Sequence, residues 1–213
     1  MIRQIVLFWF KVYSLRISRI QLAKHFPKKV LNDTLDSYWK KYLKLKQEVP
    51  DMPTTGGSIM VHLAAMSTAF YNELIERDKT PQEATKLFYD IAWEVYKKMG
   101  RFTWRLTDIG KSGNYNRLKK ATNIFRAFPF NSPSYLWEDR KTTVNEVSFD
   151  CLRCPVAEYF QKKGLSQFCV DTWCNLDYPL AEMWNSKLIR KTTIAGGSSK
   201  CDFRWIASNQ NGN

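Results

Sequence analysis

All five cysteines of the chain lie between Phe149 and Trp205, and three of them adjoin a carboxylate or a guanidinium. The clusters are Arg153-Cys154-Pro155 with Glu158, Cys174-Asn175-Leu176-Asp177, and Cys201-Asp202-Phe203-Arg204. Three chemistries compete for such a set. A thiolate nucleophile needs a lowered pKa, which a neighbouring cation or a helix N-terminus supplies. Cys154, beside Arg153 and at the start of an expected helix, meets both conditions. Asp177 or Asp202 would then be the general base, and Arg204 would hold a substrate carboxylate bidentately. The second chemistry is zinc, with Cys151 and Cys154 as a CxxC half-site completed by two of Cys169, Cys174 and Cys201. No second CxxC accompanies it, and a strand-to-helix junction would point Cys151 and Cys154 in different directions. The third is plain burial, since a reduced cysteine behaves as a small hydrophobe.

The elements that must position these clusters follow from periodicity. Thr143, Asn145, Val147 and Phe149 alternate with Val144, Glu146, Ser148 and Asp150, which predicts a strand from about Thr142. Cys154 to Lys163 is an expected helix stopped by Gly164, and residues 166–187 are expected to be helical in two pieces broken near Asp177 to Pro179. Leu188 to Ala195 and Cys201 to Ala207 are expected strands, joined by Gly196-Gly197-Ser198-Ser199-Lys200 at hairpin length.

Upstream the chain is helical. Apolar residues from Val30 to Leu45 recur at three and four, giving an amphipathic helix over 28–47. Pro50 to Gly57 is expected to be a loop whose glycines admit backbone closely, and 58–77 is a further helix with His62 near its apolar face. Thr80-Pro81-Gln82-Glu83 is a capping box opening a helix that runs to Met99, with Gly100 as its stop. Gly110-Lys111-Ser112 lacks the earlier glycine of a phosphate-binding loop and is rejected. Helices first, then a small antiparallel sheet with helices inserted, define an α+β chain. It is expected to be a single domain over 1–207, with 1–140 mainly helical, 141–207 carrying the sheet, and a frayed tail at 208–213.

Composition bounds the partners. Eight Trp and thirteen Phe exclude disorder. Net charge is +13, and residues 1–50 hold eleven Lys or Arg against three Asp or Glu, so a basic face is expected. Basic and aromatic residues interleave over 101–128, but no nucleic-acid motif accompanies them, and no specific nucleic-acid partner is expected. Residues 2–22 are apolar nearly all round. They read either as a terminal helix docked on the core or as an interfacial helix whose Trp9 and Phe10 enter a headgroup region, so that peripheral membrane contact through residues 1–22 is the alternative. No cleavage site follows the apolar run IVLFWF, and the cysteine count is odd, so a reducing cytoplasm is expected.

Taken in order, the clusters resemble a known family. Arg-Cys-x-x-Ala-Glu at 153–158, Gly-Leu at 164–165, Cys-Asn-x-Asp at 174–177, Arg-x-Thr-x-Ile-x-Gly-Gly at 190–197 and Cys-Asp-Phe-Arg at 201–204 resemble the C-terminal signature of L-2-amino-thiazoline-4-carboxylic acid hydrolases. The family is in turn distantly similar, at the level of fold, to vinyl-4-reductase-type ligand-binding domains. The resemblance implies hydrolytic opening of a small cyclic amidine or amide that carries a carboxylate. It puts the weight on Cys154, Cys174 and Cys201, with Asp177 or Asp202 activating water or a thiol and Arg204 on the substrate carboxylate. Arg153, Glu158, Asn175 and Gly197 would complete the substrate contacts, Asn175 and the Gly196-Gly197 backbone by donating to developing charge. No cofactor is expected; zinc on Cys154, Cys174 and Cys201 is the alternative. A non-catalytic module that binds a small apolar or anionic ligand, or a membrane surface, is the competing function.

Overall fold

The structure, a computed structural model, describes residues 8, 12, 15–108 and 113–208. Residues 15–22 are helical. Most of the segment read as an interfacial helix, Trp9 and Phe10 included, lies outside the described residues, as do Gly110-Lys111-Ser112 and the tail from 209. No helix among the described residues is long and apolar enough to cross a membrane.

Helix α1 (Lys28–Leu45) buries Leu31, Leu35, Tyr38 and Tyr42, the stripe expected of an amphipathic helix. That stripe packs on α2 (Thr55–Glu76), in which sixteen of 22 residues are buried. The two helices are also tied by charge: Glu73, 3 % exposed, accepts from Ser37 at 2.6 Å and pairs with Lys41 at 2.9 Å and Arg77 at 2.7 Å. His62 is buried with its Nδ1 3.3 Å from the Tyr42 hydroxyl.

Gly56 and Gly57 open α2 rather than lying in a loop. Thr54 caps the helix by accepting from Gly57 N at 3.0 Å. A Cβ on Gly56 would stand 2.2 Å from the Pro129 carbonyl oxygen, and one on Gly57 would stand 2.3 Å from Ser134 Oγ. The close approach these glycines permit is therefore to the chain's own 129–134 segment.

Helix α3 (Pro81–Leu106) begins at the expected capping box, with Thr80 and Glu83 bonding reciprocally. It does not stop at Gly100. Gly100 is a crossing point, where a Cβ would meet Leu180 Cδ1 at 2.4 Å and Met183 Cε at 2.5 Å. Trp184, fully buried, donates from Nε1 to the Gly100 carbonyl at 3.0 Å. Helix α4 (Asn114–Ala127) follows. Two of the cations of 101–128 find partners within the fold: Arg117 lies 4.2 Å over Trp104 and pairs with Asp108, while Arg126 lies 4.7 Å over Phe149 and pairs with Asp139.

The sheet has four antiparallel strands: β1 (Leu136–Asp139), β2 (Glu146–Arg153), β3 (Ser186–Ile189) and β4 (Cys201–Ala207), in the order β1-β2-β4-β3. The short strand β1 carries no alternation to announce it. Strand β2 begins at Glu146 rather than Thr142, and β3 ends at Ile189, leaving 190–200 as a loop. Between β2 and β3 lie α5 (Pro155–Lys162), stopped by Gly164 at φ +69, then α6 (Ser166–Cys169), a π-helical turn at Val170–Cys174, and α7 (Asp177–Met183). The break falls at Asn175-Leu176. Asp177 to Pro179 is the first turn of α7, where the missing N–H of proline is not needed.

Side-chain alternation sorts the two central strands. Val147, Phe149 and Cys151 of β2 and Cys201, Phe203 and Trp205 of β4 share the inner face, with Cys151 directly opposite Cys201. Ser148, Asp150, Asp202 and Arg204 share the outer one, with Asp150 opposite Asp202. Like charges so paired repel, and each is stabilised separately, Asp150 by cations and Asp202 by neutral donors. Asp150 holds Lys200 at 2.6 Å, Arg140 at 2.7 Å and Arg204 at 3.0 Å. Asp202 accepts from Thr192 N, Thr192 Oγ1 and Lys191 N at 2.6, 2.8 and 2.9 Å.

Candidate functional site

Between the inner sheet face and the helices lies a cavity of about 290 Å³, and all five cysteines line it. Each arrives by a different local device. Cys151 and Cys201 are cross-strand neighbours. Cys154 is the N-cap of α5, its sulfur accepting from Ala157 N at 3.5 Å. Cys169 and Cys174 flank the π-helical turn, whose wide winding also brings Trp173 to the cavity wall. The five thiols are free.

The charged part of the wall is small. Asp177, from the first turn of α7, accepts from the Tyr96 hydroxyl at 3.1 Å and from Arg190 Nη1 at 2.8 Å. Arg190, 2 % exposed in its side chain, also donates from Nη2 to the Cys174 carbonyl at 2.8 Å. Its guanidinium lies 5.2 Å from the Tyr178 ring and 5.3 Å from that of Phe203. Burial raises the Asp177 pKa above the ordinary carboxylate value, against the opposing pull of Arg190 and Tyr96.

Among the thiols, Cys201 stands apart. The neighbouring Cys151 thiol, Ile194 N, which donates to it at 3.2 Å, and the positive potential of Arg190 together outweigh burial and lower its pKa. The Cys151 pKa is raised, first by its neighbour Cys201 and then by burial, and its thiol donates to the Arg153 carbonyl at 3.1 Å. Cys169 is raised in the same way by its hydrogen bond to Cys174 and by burial. Burial also pushes Cys154 well up, with the nearby Cys201 adding to it.

These facts correct several expectations. Cys154 has the helix N-terminus but not the cation: Arg153 turns to Glu158 at 3.0 Å, in an ion pair about two-fifths exposed and away from the cavity wall. The conditions for a lowered thiol pKa are met at Cys201. Asp202 and Arg204 follow Cys201 in sequence, yet a strand turns alternate residues to opposite faces, and both lie on the outer face in the contacts described above. Asn175 and Gly197 are likewise outside the cavity wall; Gly197, at φ +91, shapes the 190–200 loop. The structure thus brings Cys154, Cys174, Asp177 and Cys201 together. It leaves Arg153, Glu158, Asn175, Gly197, Asp202 and Arg204 outside. The guanidinium that faces the thiols is Arg190, and its signal was its place at the head of Arg-x-Thr-x-Ile-x-Gly-Gly. Tyr96, from α3, had no local signal at all.

Among the described residues no three His, Cys, Asp or Glu side chains are grouped to hold a metal ion. Cys151, Cys154 and Cys201 bond to backbone groups, the first donating to the Arg153 carbonyl and the others accepting from Ala157 N and Ile194 N.

The model of the L-2-amino-thiazoline-4-carboxylic acid hydrolases matches residues 58–205, well over half of the chain. The chain belongs to this family. The match takes in α2 and α3 as well as the cysteine-bearing part, so this hydrolase-family chain carries its relationship through most of the elements that wall the cavity. A comparison with curated proteins gave no match. Among solved structures, the chain is similar to the Fe(II) unliganded H-NOX protein from K. algicida, with 8 % sequence identity and a TM-score of 0.45 over 94 % of this chain and 97 % of that one.

Proposed function

We propose that the protein is a hydrolase that opens a small cyclic amidine or amide by attack at the ring carbon bonded to nitrogen, with Cys201 as nucleophile. One observation supports this reading: Cys201, whose sulfur accepts from Ile194 N at 3.2 Å, the Asp177 carboxyl and the buried Arg190 guanidinium line the same cavity.

The chemistry follows from those groups. The Cys201 thiolate forms a carbon–sulfur bond to the amidine carbon, and the π electrons of the C=N bond move to nitrogen, giving a tetrahedral centre. That centre collapses by breaking the bond to a ring heteroatom, sulfur in a thiazoline, which leaves with a proton from Asp177. Water then attacks the enzyme-bound carbon as Asp177 takes its proton back, and Cys201 departs as thiolate. The net change is addition of one water and loss of the ring. Arg190 supports the thiolate and neutralises Asp177 after each proton transfer.

A panel of thiazolines and cyclic amides tests the proposal. Wild type should open at least one member, and Cys201→Ala should lose roughly a thousandfold or more in kcat. Cys169→Ala should change turnover by no more than about twofold if it folds. Turnover that survives Cys201→Ala would sink the nucleophile assignment. A second reading, ligand binding without chemistry, is favoured by the apolar character of most of the cavity wall. Saturable binding of panel members with no ring opening by wild type would decide for it.

A further inference from the structure

The cavity wall is a poor match for a compact polar ring acid. Of the residues around it only Arg126, Asp177 and Arg190 carry charge. Arg126 is paired to Asp139 at 2.6 Å through Nη1 and covered by the Phe149 ring, while its buried Nε has no partner among the described residues. The rest is dominated by aromatic, aliphatic and sulfur-bearing side chains. Pockets of about 300 Å³ and above enclose ligands considerably larger than one five-membered ring. Setting a small zwitterionic ring into such a space strips its polar edges of water while most of the wall offers no hydrogen bond in return.

Unpartnered donors indicate the polar end of the occupant. Tyr135, 2 % exposed, lines the cavity, and its hydroxyl has no partner among the described residues. The same holds for Arg190 Nε and for Trp205 Nε1, whose residue is 4 % exposed. Tyr135 shares the cavity wall with the five thiols. Buried donors without acceptors are costly, and these three together with Arg126 Nε face the same demand: an acceptor brought by a ligand. An apolar body with a few acceptor atoms at one end answers both observations.

We infer that the substrate of this site is a cyclic amidine or amide bearing a bulky apolar, ring-containing substituent, its acceptor atoms held by Tyr135 and Arg190, rather than the free thiazoline carboxylate. The inference rests on the hydrolytic reading for the ring chemistry and on the cavity alone for the substituent.

Two probes separate the possibilities: 2-amino-thiazoline-4-carboxylate, and the same ring carrying a naphthylmethyl group. Dissociation constants are read from quenching of intrinsic tryptophan fluorescence and ring opening from liquid chromatography. The naphthylmethyl compound should bind wild type about tenfold tighter or better. Ala92→Phe, which fills part of the wall on α3, should weaken its binding about tenfold and leave the compact acid within about twofold. Ala92→Leu serves if the phenylalanine variant fails to fold by circular dichroism, and Tyr135→Phe should weaken both probes by losing a shared donor. Equal or tighter binding of the compact acid, binding of neither probe, or equal weakening of both by the filling variant would overturn the inference. Failure of the two readings looks different: tight binding of the bulky compound without ring opening sinks the hydrolase and keeps the ligand class, whereas efficient opening of the compact acid without preference for bulk does the reverse.

Discussion

Breaking the Asp177–Arg190 pair one partner at a time, and then together, measures how strongly the site is held and whether its electrostatics are as described. Arg190 makes two bonds of 2.8 Å, to Asp177 Oδ2 and to the Cys174 carbonyl, from a side chain 2 % exposed. Arg190→Met removes both and leaves Asp177 with the Tyr96 hydroxyl alone, so it should cost about 3–5 kcal/mol of stability. Asp177→Asn keeps an acceptor but removes the countercharge, at about 2–4 kcal/mol. The double variant no longer holds an uncompensated charge and should cost little more than Arg190→Met, a coupling of about 2 kcal/mol. Urea unfolding followed by tryptophan fluorescence with linear extrapolation gives each value. Linkage adds a sign. Because burial raises the Asp177 pKa in the folded chain, the native state binds more protons than the unfolded one above the ordinary carboxylate value. Stability should therefore fall as pH rises from that value through the raised one, and Asp177→Asn should remove that component. A coupling below about 0.5 kcal/mol, or an unchanged pH slope in Asp177→Asn, would refute the reasoning.

Other perturbations probe separate parts of the fold. Asp150, pulled down to about 2 by Lys200, Arg140 and Arg204 against the opposing effect of burial, should add about 1–2 kcal/mol after solvent screening of the three cations. That contribution is present above about pH 4 and is lost as pH falls towards about 2; acid titration of unfolding in wild type and Asp150→Asn measures it, and identical acid limbs would count against it. Iodoacetamide labelling followed by peptide mass spectrometry should modify Cys201 before Cys154 at neutral pH, and Ile194→Pro, which removes the N–H that donates to Cys201 at 3.2 Å, should shift the Cys201 rate profile to higher pH. Gly56→Ala should destabilise by about 1–3 kcal/mol in thermal or urea unfolding, since its Cβ would meet the Pro129 carbonyl and any gain in helix propensity is smaller; a stabilised variant would contradict the close packing.

Local signals carried most of the helical half. The capping box at Thr80 was legible because its partners lie three residues apart, and the stripe of α1 because burial there follows the helical period. What failed was set by distant parts of the chain. Gly100 has the look of a helix stop, but α3 continues because Leu180, Met183 and Trp184 pack on the space its missing side chain leaves. Gly56 and Gly57 resemble a loop for the same reason, their small size being demanded by residues 129–134. Strand β1 has four residues and only Trp137 even half-buried, so no alternation marks it.

The candidate site shows a different kind of failure, one the sequence could have prevented. Cys201-Asp202-Phe203-Arg204 suggests a thiol with its own base and its own cation, yet the same stretch also reads as a strand, and a strand divides such a set between two faces. Taking the strand seriously assigns Cys201 and Phe203 to one side and Asp202 and Arg204 to the other before any coordinates are known. The thiol must then find its cation elsewhere. Arg190 comes from the loop after the neighbouring strand β3 and is paired with an aspartate at a helix start, a meeting that depends on β3 lying beside β4. The residues adjacent in sequence thus build the outer face of the sheet, where Asp150 gathers three cations, and the residues adjacent in space build the cavity. Activity should accordingly tolerate Asp202→Asn wherever the loop stays folded and fail with Arg190→Met, the reverse of what proximity along the chain implies.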